Sequence, residues 1–189
     1  MDYSIRKDID ICHCGQISCF SNNNAMKIAL KGRLCMKWVS ADIEMYMKAR
    51  EFVDTVVVPL IPITLKGDMV PTVEMGEFVT IIASELEREY KGRLIVLPAY
   101  TYLKEEEPST LMDRVNLWNS TFLQEGIKNV ILLTSDPDWK LNEKDVKATL
   151  LWVPSISFKD LDKKYIEQMV KSQMKSIHSI VINLWKKEN

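Results

Sequence analysis

The stretch Thr55-Val-Val-Val-Pro-Leu-Ile-Pro-Ile-Thr-Leu-Lys-Gly-Asp-Met-Val-Pro71 determines the fold class predicted for this chain. Its first part, Val56–Ile61, is apolar at nearly every position, which is typical of a strand covered on both faces in a parallel sheet. Gly67 and Pro71 then indicate a loop that leads into a helix. Ligands of open α/β sheets bind where such loops leave the carboxyl ends of strands. The stretch therefore predicts a buried strand and locates a cleft.

Helical and strand patterns alternate along the rest of the chain. Apolar residues recur at helical spacing between Phe78 and Tyr90. Further strand patterns follow at Arg93–Tyr100, Asn129–Leu133 and Ala148–Val153. Alternation of this kind implies right-handed βαβ crossovers. We therefore predict an α/β fold, a three-layer α/β/α sandwich with a mainly parallel sheet, which ends in a long helix from about Asp160 to Lys186.

Polar residues predict where several helices begin and which sides face water. Thr110 with Asp113 resembles a capping box at the start of one helix, and Ser157 with Asp160 resembles another before the C-terminal helix. The charged residues Glu77, Glu85, Glu87, Arg88 and Glu89 predict the solvent-facing side of the helix that contains Phe78.

Composition excludes several classes of protein. The chain has 189 residues, 47% of them hydrophobic, and a net charge of −1. This size suits one substantial α/β core, and the balanced charge argues against nucleic acid as a partner. No apolar run approaches the roughly 18 residues of a transmembrane helix, and the N-terminus is too charged for a secretory signal. We therefore expect a cytoplasmic protein without a transmembrane segment.

The cysteines are all found before Met36. Cys12-His13-Cys14 with Cys19 has the donor types of a metal site, but adjacent ligands fit a tetrahedral ion poorly. The segment also contains Ser21-Asn-Asn-Asn24 and no sustained apolar period. We therefore expect residues 1–35 to be a disordered or mis-annotated leader, and residues 36–189 to form a single α/β domain.

Two loops follow predicted parallel strands and carry polar residues. The first is Thr64–Pro71 and the second is Thr134–Trp139. Because the carboxyl ends of parallel strands meet at one edge of a sheet, polar residues of both loops are candidates for a common cleft. The candidate cleft residues are Thr64, Lys66, Asp136 and Asp138, with Trp139 as a candidate cleft wall.

These loops carry a resemblance to a known family. The pattern Pro59-x-x-x-Ile63-x-x-x-Gly67-x-x-x-Pro71 resembles the metal-binding strand and loop of the creatininase family, and Phe122–Asp136 is similar to that family's helix-glycine-strand run. The resemblance implies a creatininase-like fold. Where the family has metal-ligating Glu and His residues in its first loop, this chain has Thr64 and Lys66, and Asp136 replaces a later His. We therefore expect a degenerate metal site, with no bound metal or other cofactor.

From Met36 onward the chain also resembles the YpiF-type proteins of Bacillus-like bacteria, a family of unknown function. The resemblance includes Lys37-Trp-Val-Ser-Ala-Asp-Ile43. It implies no particular activity. The remaining histidine after Met36, His178, is expected to be a packed or rim residue of the terminal helix.

Three functions remain open at this point. The first is a non-catalytic creatininase-like domain for binding or accessory roles, in which the Lys66 ammonium takes the place of a metal ion and neutralises the carboxylates of Asp68, Glu74, Asp136 and Asp138. The second is a metal-dependent, amidohydrolase-like enzyme in which Asp136 and Asp138 hold one hard cation. The third is an interaction protein that acts through its basic, amphipathic C-terminal helix. The partner would be a small molecule or a protein, and a homo-oligomer is possible.

Overall fold

The computed structural model of the chain describes residues 11–12, 16–17, 36–67, 69–159 and 161–186. The chain divides into two compact units, Met1–Leu34 and Cys35–Asn189. In the first unit, β1 (Ile11–Cys12) and β2 (Gln16–Ile17) form an antiparallel pair. The rest of residues 1–35 lies outside the described residues. A disordered or mis-annotated leader, and a metal site at Cys12-His13-Cys14 with Cys19, therefore stay predictions.

The second unit alternates helices and strands. In chain order its elements are α1 (Ser40–Lys48), β3 (Thr55–Ile63), α2 (Met69–Glu89), β4 (Leu94–Val96), β5 (Tyr100–Leu103), α3 (Pro108–Gln124), β6 (Asn129–Thr134), α4 (Asp138–Leu141), β7 (Thr149–Trp152) and α5 (Lys163–Lys186). Short 3₁₀ turns cover Arg50–Phe52 and Glu143–Asp145.

The five strands β3 to β7 form one sheet in which every pairing is parallel. The central strand β3 pairs with β6 on one side, and with β4 and then β5 on the other. Strand β7 lies beyond β6. Since all the strands run in the same direction, their carboxyl ends lie at one edge, here called the C-terminal edge. The predicted parallel sheet is confirmed.

Apolar cores cover both faces of this sheet. Alternate residues of β3 point to opposite sides, so Val56 and Val58 join one core and Val57 joins the other. Helices α1 and α3 supply side chains to the first core, and α2 and α5 supply them to the second. This arrangement has three layers, as the continuous apolar run in β3 predicts.

The predicted strand Arg93–Tyr100 is in fact two strands. β4 ends at Val96 and β5 begins at Tyr100, and both pair with β3. Pro98 lies in the break, where its missing N–H cannot join a ladder. After the break, β5 continues to Leu103 as a separate strand. Its end places Lys104 at the C-terminal edge.

Two predicted helix starts are wrong. α3 begins at Pro108, ahead of the predicted Thr110 box, because proline suits the first turn of a helix. α5 begins at Lys163, where Asp162 Oδ1 accepts the N–H of Tyr165 at 2.8 Å. Ser157 instead donates its hydroxyl to Glu74 at 2.5 Å.

Glu87 does not face solvent as its position among the charged residues of α2 predicts. It is buried, and its carboxylate accepts the backbone N–H of Met36 at 2.8 Å. The start of the second unit is therefore fastened to α2 by a buried hydrogen bond, which a helical-wheel pattern does not reveal.

The C-terminal helix α5 packs on its own sheet. Val170, Ile177, Val181 and Trp185 are buried in the core shared with α2. Trp185 Nε1 also donates to Thr55 Oγ1 at 2.8 Å, which fastens the end of the helix to the start of β3. His178 lies on the exposed side, with Nδ1 2.7 Å from the Tyr90 hydroxyl. Within the described residues, no helix has the length and apolarity that crossing a bilayer requires.

Candidate functional site

Three polar loops leave adjacent strands at the C-terminal edge. Thr64 follows β3 and Asp136 follows β6, and these strands are parallel neighbours, as the sequence predicts. On the other side of β3, the pairing of Ile63 with Leu103 aligns the end of β5 with the end of β3. The third loop therefore begins at Lys104, next to the two loops that the sequence identifies.

Asp136 is the most deeply buried charged residue among the candidates. Its side chain has no exposed surface. Oδ2 accepts the Tyr102 hydroxyl at 2.6 Å, and Oδ1 accepts the Lys104 ammonium at 2.9 Å. The backbone N–H of Asp138 also donates to Oδ1, at 3.1 Å. Three donors therefore replace the water that this carboxylate loses on folding.

Lys104 bridges the two candidate aspartates. Its ammonium lies 2.9 Å from Asp136 Oδ1 and 2.6 Å from Asp138 Oδ2. Burial by itself lowers the pKa of Lys104, but the hydrogen bonds and negative charges of both aspartates outweigh burial and raise the pKa above its ordinary value. The ammonium is therefore charged at neutral pH and compensates the carboxylates.

Trp139, Tyr102 and Asp136 form a chain of hydrogen bonds. The Tyr102 hydroxyl donates to Asp136 and accepts from Trp139 Nε1 at 2.8 Å, and the two rings meet edge to face with centroids 5.5 Å apart. Burial, together with the adjacent Asp136 charge and hydrogen bond, strongly raises the pKa of Tyr102. Tyr102 therefore stays neutral and keeps donating its proton to Asp136.

These residues line part of a small pocket with a volume of about 50 Å³. Its lining consists of Tyr102, Lys104, Glu106, Pro108, Leu111, Met112, Asp136, Asp138, Trp139 and Asn142. On this measure a cavity holds a water molecule from roughly 10–15 Å³ upward, whereas small-molecule sites usually offer roughly 300 Å³ or more. Trp139 contributes to the wall of this pocket, which has room for a few water molecules.

Thr64 and Lys66 form a separate group with Glu105. The Thr64 hydroxyl donates to Glu105 at 2.9 Å, and the Lys66 ammonium lies 3.3 Å from the same carboxylate oxygen. The hydrogen bond from Thr64 lowers the pKa of Glu105, and Lys66 adds to this effect. The prediction that Lys66 neutralises Asp136 and Asp138 is wrong. Lys104 has that role, since it follows the neighbouring strand and Lys66 extends toward solvent.

The site does not have the donors of a metal centre. Among the described residues, no three His, Cys, Asp or Glu side chains are grouped so that they could hold a metal ion. Asp136 and Asp138 supply oxygen donors, but a hard divalent cation takes about six oxygen ligands, and Lys104 already lies between these two carboxylates. The metal ions that the creatininase resemblance implies therefore do not fit this set of residues.

Sequence reasoning missed Tyr102 and Lys104. The available signal was Tyr100-Thr-Tyr-Leu-Lys104, which has the alternation of a strand whose Tyr100 and Tyr102 are buried while Thr101 and Leu103 are exposed. Recognising Pro98 as a break between two strands would have placed Lys104 at a strand end, beside the predicted loops.

Comparisons with known proteins give a family but no activity. A family described as "Protein of unknown function (DUF2487)" matches residues 44–185. The chain is 29% identical over 150 residues to a protein described as "Uncharacterized protein YpiF" from Bacillus subtilis (strain 168), covering 79% of this chain and 98% of that protein. No solved structure matches the chain. The resemblance to a YpiF-type family of unknown function is confirmed.

Proposed function

The chain belongs to the family described as "Protein of unknown function (DUF2487)", and we propose that it is a non-catalytic binding or accessory domain. We further propose that its fold is creatininase-like and that its metal site is degenerate. One observation carries the proposal: the Lys104 ammonium bridges Asp136 and Asp138 at the edge where ligands of parallel sheets bind. A fixed positive charge thus stands where a cation would be held.

Electrostatics explains why this arrangement opposes metal-dependent hydrolysis. A hydrolytic metal site needs a divalent ion with an open position for water, which the ion activates as a nucleophile. Lys104 already neutralises part of the negative charge that would attract such an ion, and its own charge repels it. Thr64 and Lys66 supply neither imidazole nor carboxylate to the first loop.

The geometry gives less support to the other two functions. The hydrolase alternative needs Asp136 and Asp138 free to bind a cation, yet both are hydrogen-bonded to Lys104. The alternative that relies on α5 needs a free apolar helix face, yet Val170, Ile177 and Val181 are buried against the protein's own sheet. A binding or accessory role requires neither free aspartates at this site nor a free apolar face on α5.

Calorimetric titration with Mn²⁺ and Zn²⁺ tests the proposal. We expect no stoichiometric binding to the wild-type protein or to Lys66→Ala, which removes the neighbouring lysine but leaves Lys104 in place. Lys104→Ala should gain weak binding, because two carboxylates then lose their cation. The gain should disappear in a Lys104→Ala and Asp138→Asn double variant.

One result would replace the proposal with the hydrolase alternative. If the wild-type protein bound one or two ions per chain, and Asp136→Asn abolished that binding, the lysine would not be occupying the site. Amide hydrolysis that depended on the same ion would complete the case against a non-catalytic domain.

A further inference from the structure

A group of exposed apolar side chains lies where β3 passes into α2. Leu65 is 85% exposed and Val70 is 67% exposed, while Met69 and Val73 are 45% and 56% exposed. Exposed apolar side chains that lie together mark an interaction site more often than scattered ones do. This group lies at the C-terminal edge but outside the pocket that contains Lys104.

Part of this surface is a groove of about 410 Å³. The start of α2 forms one wall and the segment after β7 forms the other, and the lining residues are Met69, Val70, Val73, Glu74, Glu77, Phe158 and Lys159. Phe158 is half-buried and its ring lies 6.1 Å from that of Phe78, so the apolar floor is anchored in the core. The groove therefore has one wall on a helix, and its apolar floor is continuous with the core.

The wall formed by α2 combines apolar and acidic side chains on one helix face. Val70, Val73, Glu74 and Glu77 occupy positions i, i+3, i+4 and i+7, which share a face. Glu74 accepts a hydrogen bond from Ser157, and among the described residues no cation forms an ion pair with Glu74 or Glu77. Two carboxylates beside an apolar surface thus remain available to an outside cation.

We propose that this groove docks a basic amphipathic helix of a partner protein. The partner's apolar side chains would cover Val70, Val73 and Phe158, and its lysine or arginine side chains would pair with Glu74 and Glu77. This inference rests on the proposed binding role but uses no residue of the Lys104 pocket, so the two can fail separately.

The charges of the groove favour this occupant over two others. A second copy of the chain packed face to face would bring four carboxylates together with only two Lys159 ammonium groups, which leaves a net repulsion. A membrane surface with anionic lipids would meet these two carboxylates with only Lys159 in the groove to attract it. A basic helix is complementary in both apolar surface and charge.

Two synthetic helical peptides with identical leucine positions provide the test, one with lysine at every polar position and one with glutamate. Each is titrated into the ¹⁵N-labelled full chain and followed by amide chemical shifts. We expect the leucine–lysine peptide to shift the amides of Met69, Val70, Val73 and Lys159, and the leucine–glutamate peptide to bind at least ten-fold more weakly.

Matched variants determine whether the groove itself binds. Val70→Gln combined with Val73→Gln should weaken binding of the leucine–lysine peptide at least ten-fold, and Glu77→Lys should weaken it several-fold. The control Leu117→Gln changes a residue of similar exposure, 64%, on α3, and should leave the affinity unchanged. Unchanged thermal midpoints would show that all the variants are folded.

Four results would overturn the inference. Equal binding of both peptides would remove the role of charge, and shifts centred on Leu117 or Leu141 would place the binding surface elsewhere. Self-association or binding to vesicles of phosphatidylcholine and phosphatidylglycerol, abolished by Val70→Gln with Val73→Gln, would assign the groove to a second copy or to lipid. None of these results depends on metal binding at Asp136 and Asp138.

Discussion

Two lysines lie at the same edge of the sheet and have opposite environments. Lys66 is 76% exposed and pairs with Glu105 in a solvent-facing group, whereas Lys104 is 26% exposed and pairs with the fully buried Asp136. Both follow parallel strands that pair with each other, and both bind carboxylates. Residue type is therefore the same in the two groups, and burial differs.

Burial determines how much each ion pair contributes to the free energy of unfolding. An exposed pair exchanges water for a partner and gains little, since solvent and salt screen the attraction. A buried carboxylate has lost its water, so removing its cation leaves a buried charge without an opposite charge, which neutral hydrogen-bond donors offset only in part. The Lys104 group should therefore hold this edge together, and the Lys66 group should be dispensable. Four measurements test that contrast, each by the free energy of unfolding.

The largest effect is expected from Lys104→Met. The variant keeps most of the apolar part of the side chain but removes the ammonium from Asp136, which remains buried. We expect a loss of about 3 kcal/mol in the free energy of unfolding. Urea denaturation followed by tryptophan fluorescence would measure it. Restoration of most of this loss by adding Asp136→Asn would identify the uncompensated charge as the cause, and a loss below about 1 kcal/mol would contradict the role of Lys104.

Tyr102→Phe should have the next largest effect. The variant removes the hydroxyl that donates to Asp136 and accepts from Trp139 Nε1, so a buried indole N–H loses its partner. We expect a loss of about 2 kcal/mol. The control is Tyr165→Phe, which removes the hydroxyl of an exposed tyrosine on α5. Equal losses in the two variants would show that the Tyr102 network contributes nothing particular to stability.

Alkaline pH should affect the stability contributed by the Lys104 group and by the Lys66 group differently. The pKa of Tyr102 is raised by burial and by Asp136, and the pKa of Lys104 is raised because the two aspartates outweigh its burial. The folded chain thus holds these protons more strongly than the unfolded chain. This contribution to stability is complete below the pKa values of the unfolded chain, 10.0 for tyrosine and 10.5 for lysine, and is lost as the pH rises from these values toward the higher pKa values of the folded chain.

The free energy of unfolding should accordingly fall as the pH rises from about 10 to about 11, and the fall should be about 1 kcal/mol smaller in Tyr102→Phe. Urea titrations at each pH would measure the difference. Tyr165→Phe serves again as the control and should follow the wild-type profile. Parallel profiles for Tyr102→Phe and the wild-type protein would contradict the assignment of this proton to the buried network.

The smallest effect is expected from Lys66→Met. Lys66 contacts only an exposed carboxylate, which Thr64 also binds. We expect a change below about 0.5 kcal/mol in the free energy of unfolding, since exposed ion pairs contribute little. Thermal unfolding at low and high salt would detect any screened contribution. A loss as large as that of Lys104→Met would remove the contrast between the two lysines.

Much of the fold could be predicted because it depends on local pattern. The apolar run at Val56–Ile61 needs cover on both faces, and the spacing from Phe78 to Leu86 specifies the helix that provides it on one side. Predictions failed where one residue had a tertiary partner. Glu87 looks like a surface residue of α2, and it is buried because Met36 supplies a backbone donor.

The candidate site could be predicted only in part. Asp136, Asp138 and Trp139 were identified because they follow a strand directly, and all three line the pocket. Lys104 was missed because the Pro98 break hides the second strand that carries it. Thr64 and Lys66 were found at the correct edge, but their partner is Glu105.

The sequence by itself determined the α/β class, the mainly parallel direction of the strands and the edge at which the polar loops lie. Those features follow from apolar periodicity and from the alternation of helices with strands along the chain, both of which can be read from the sequence. Only the tertiary structure decided which lysine compensates Asp136. Lys66 and Lys104 have the same charge and both follow strands, so the choice depends on strand register and on the distance at which each ammonium meets the buried carboxylate. Ion pairing acts over a few ångströms between segments far apart in the chain, and no local pattern encodes that distance.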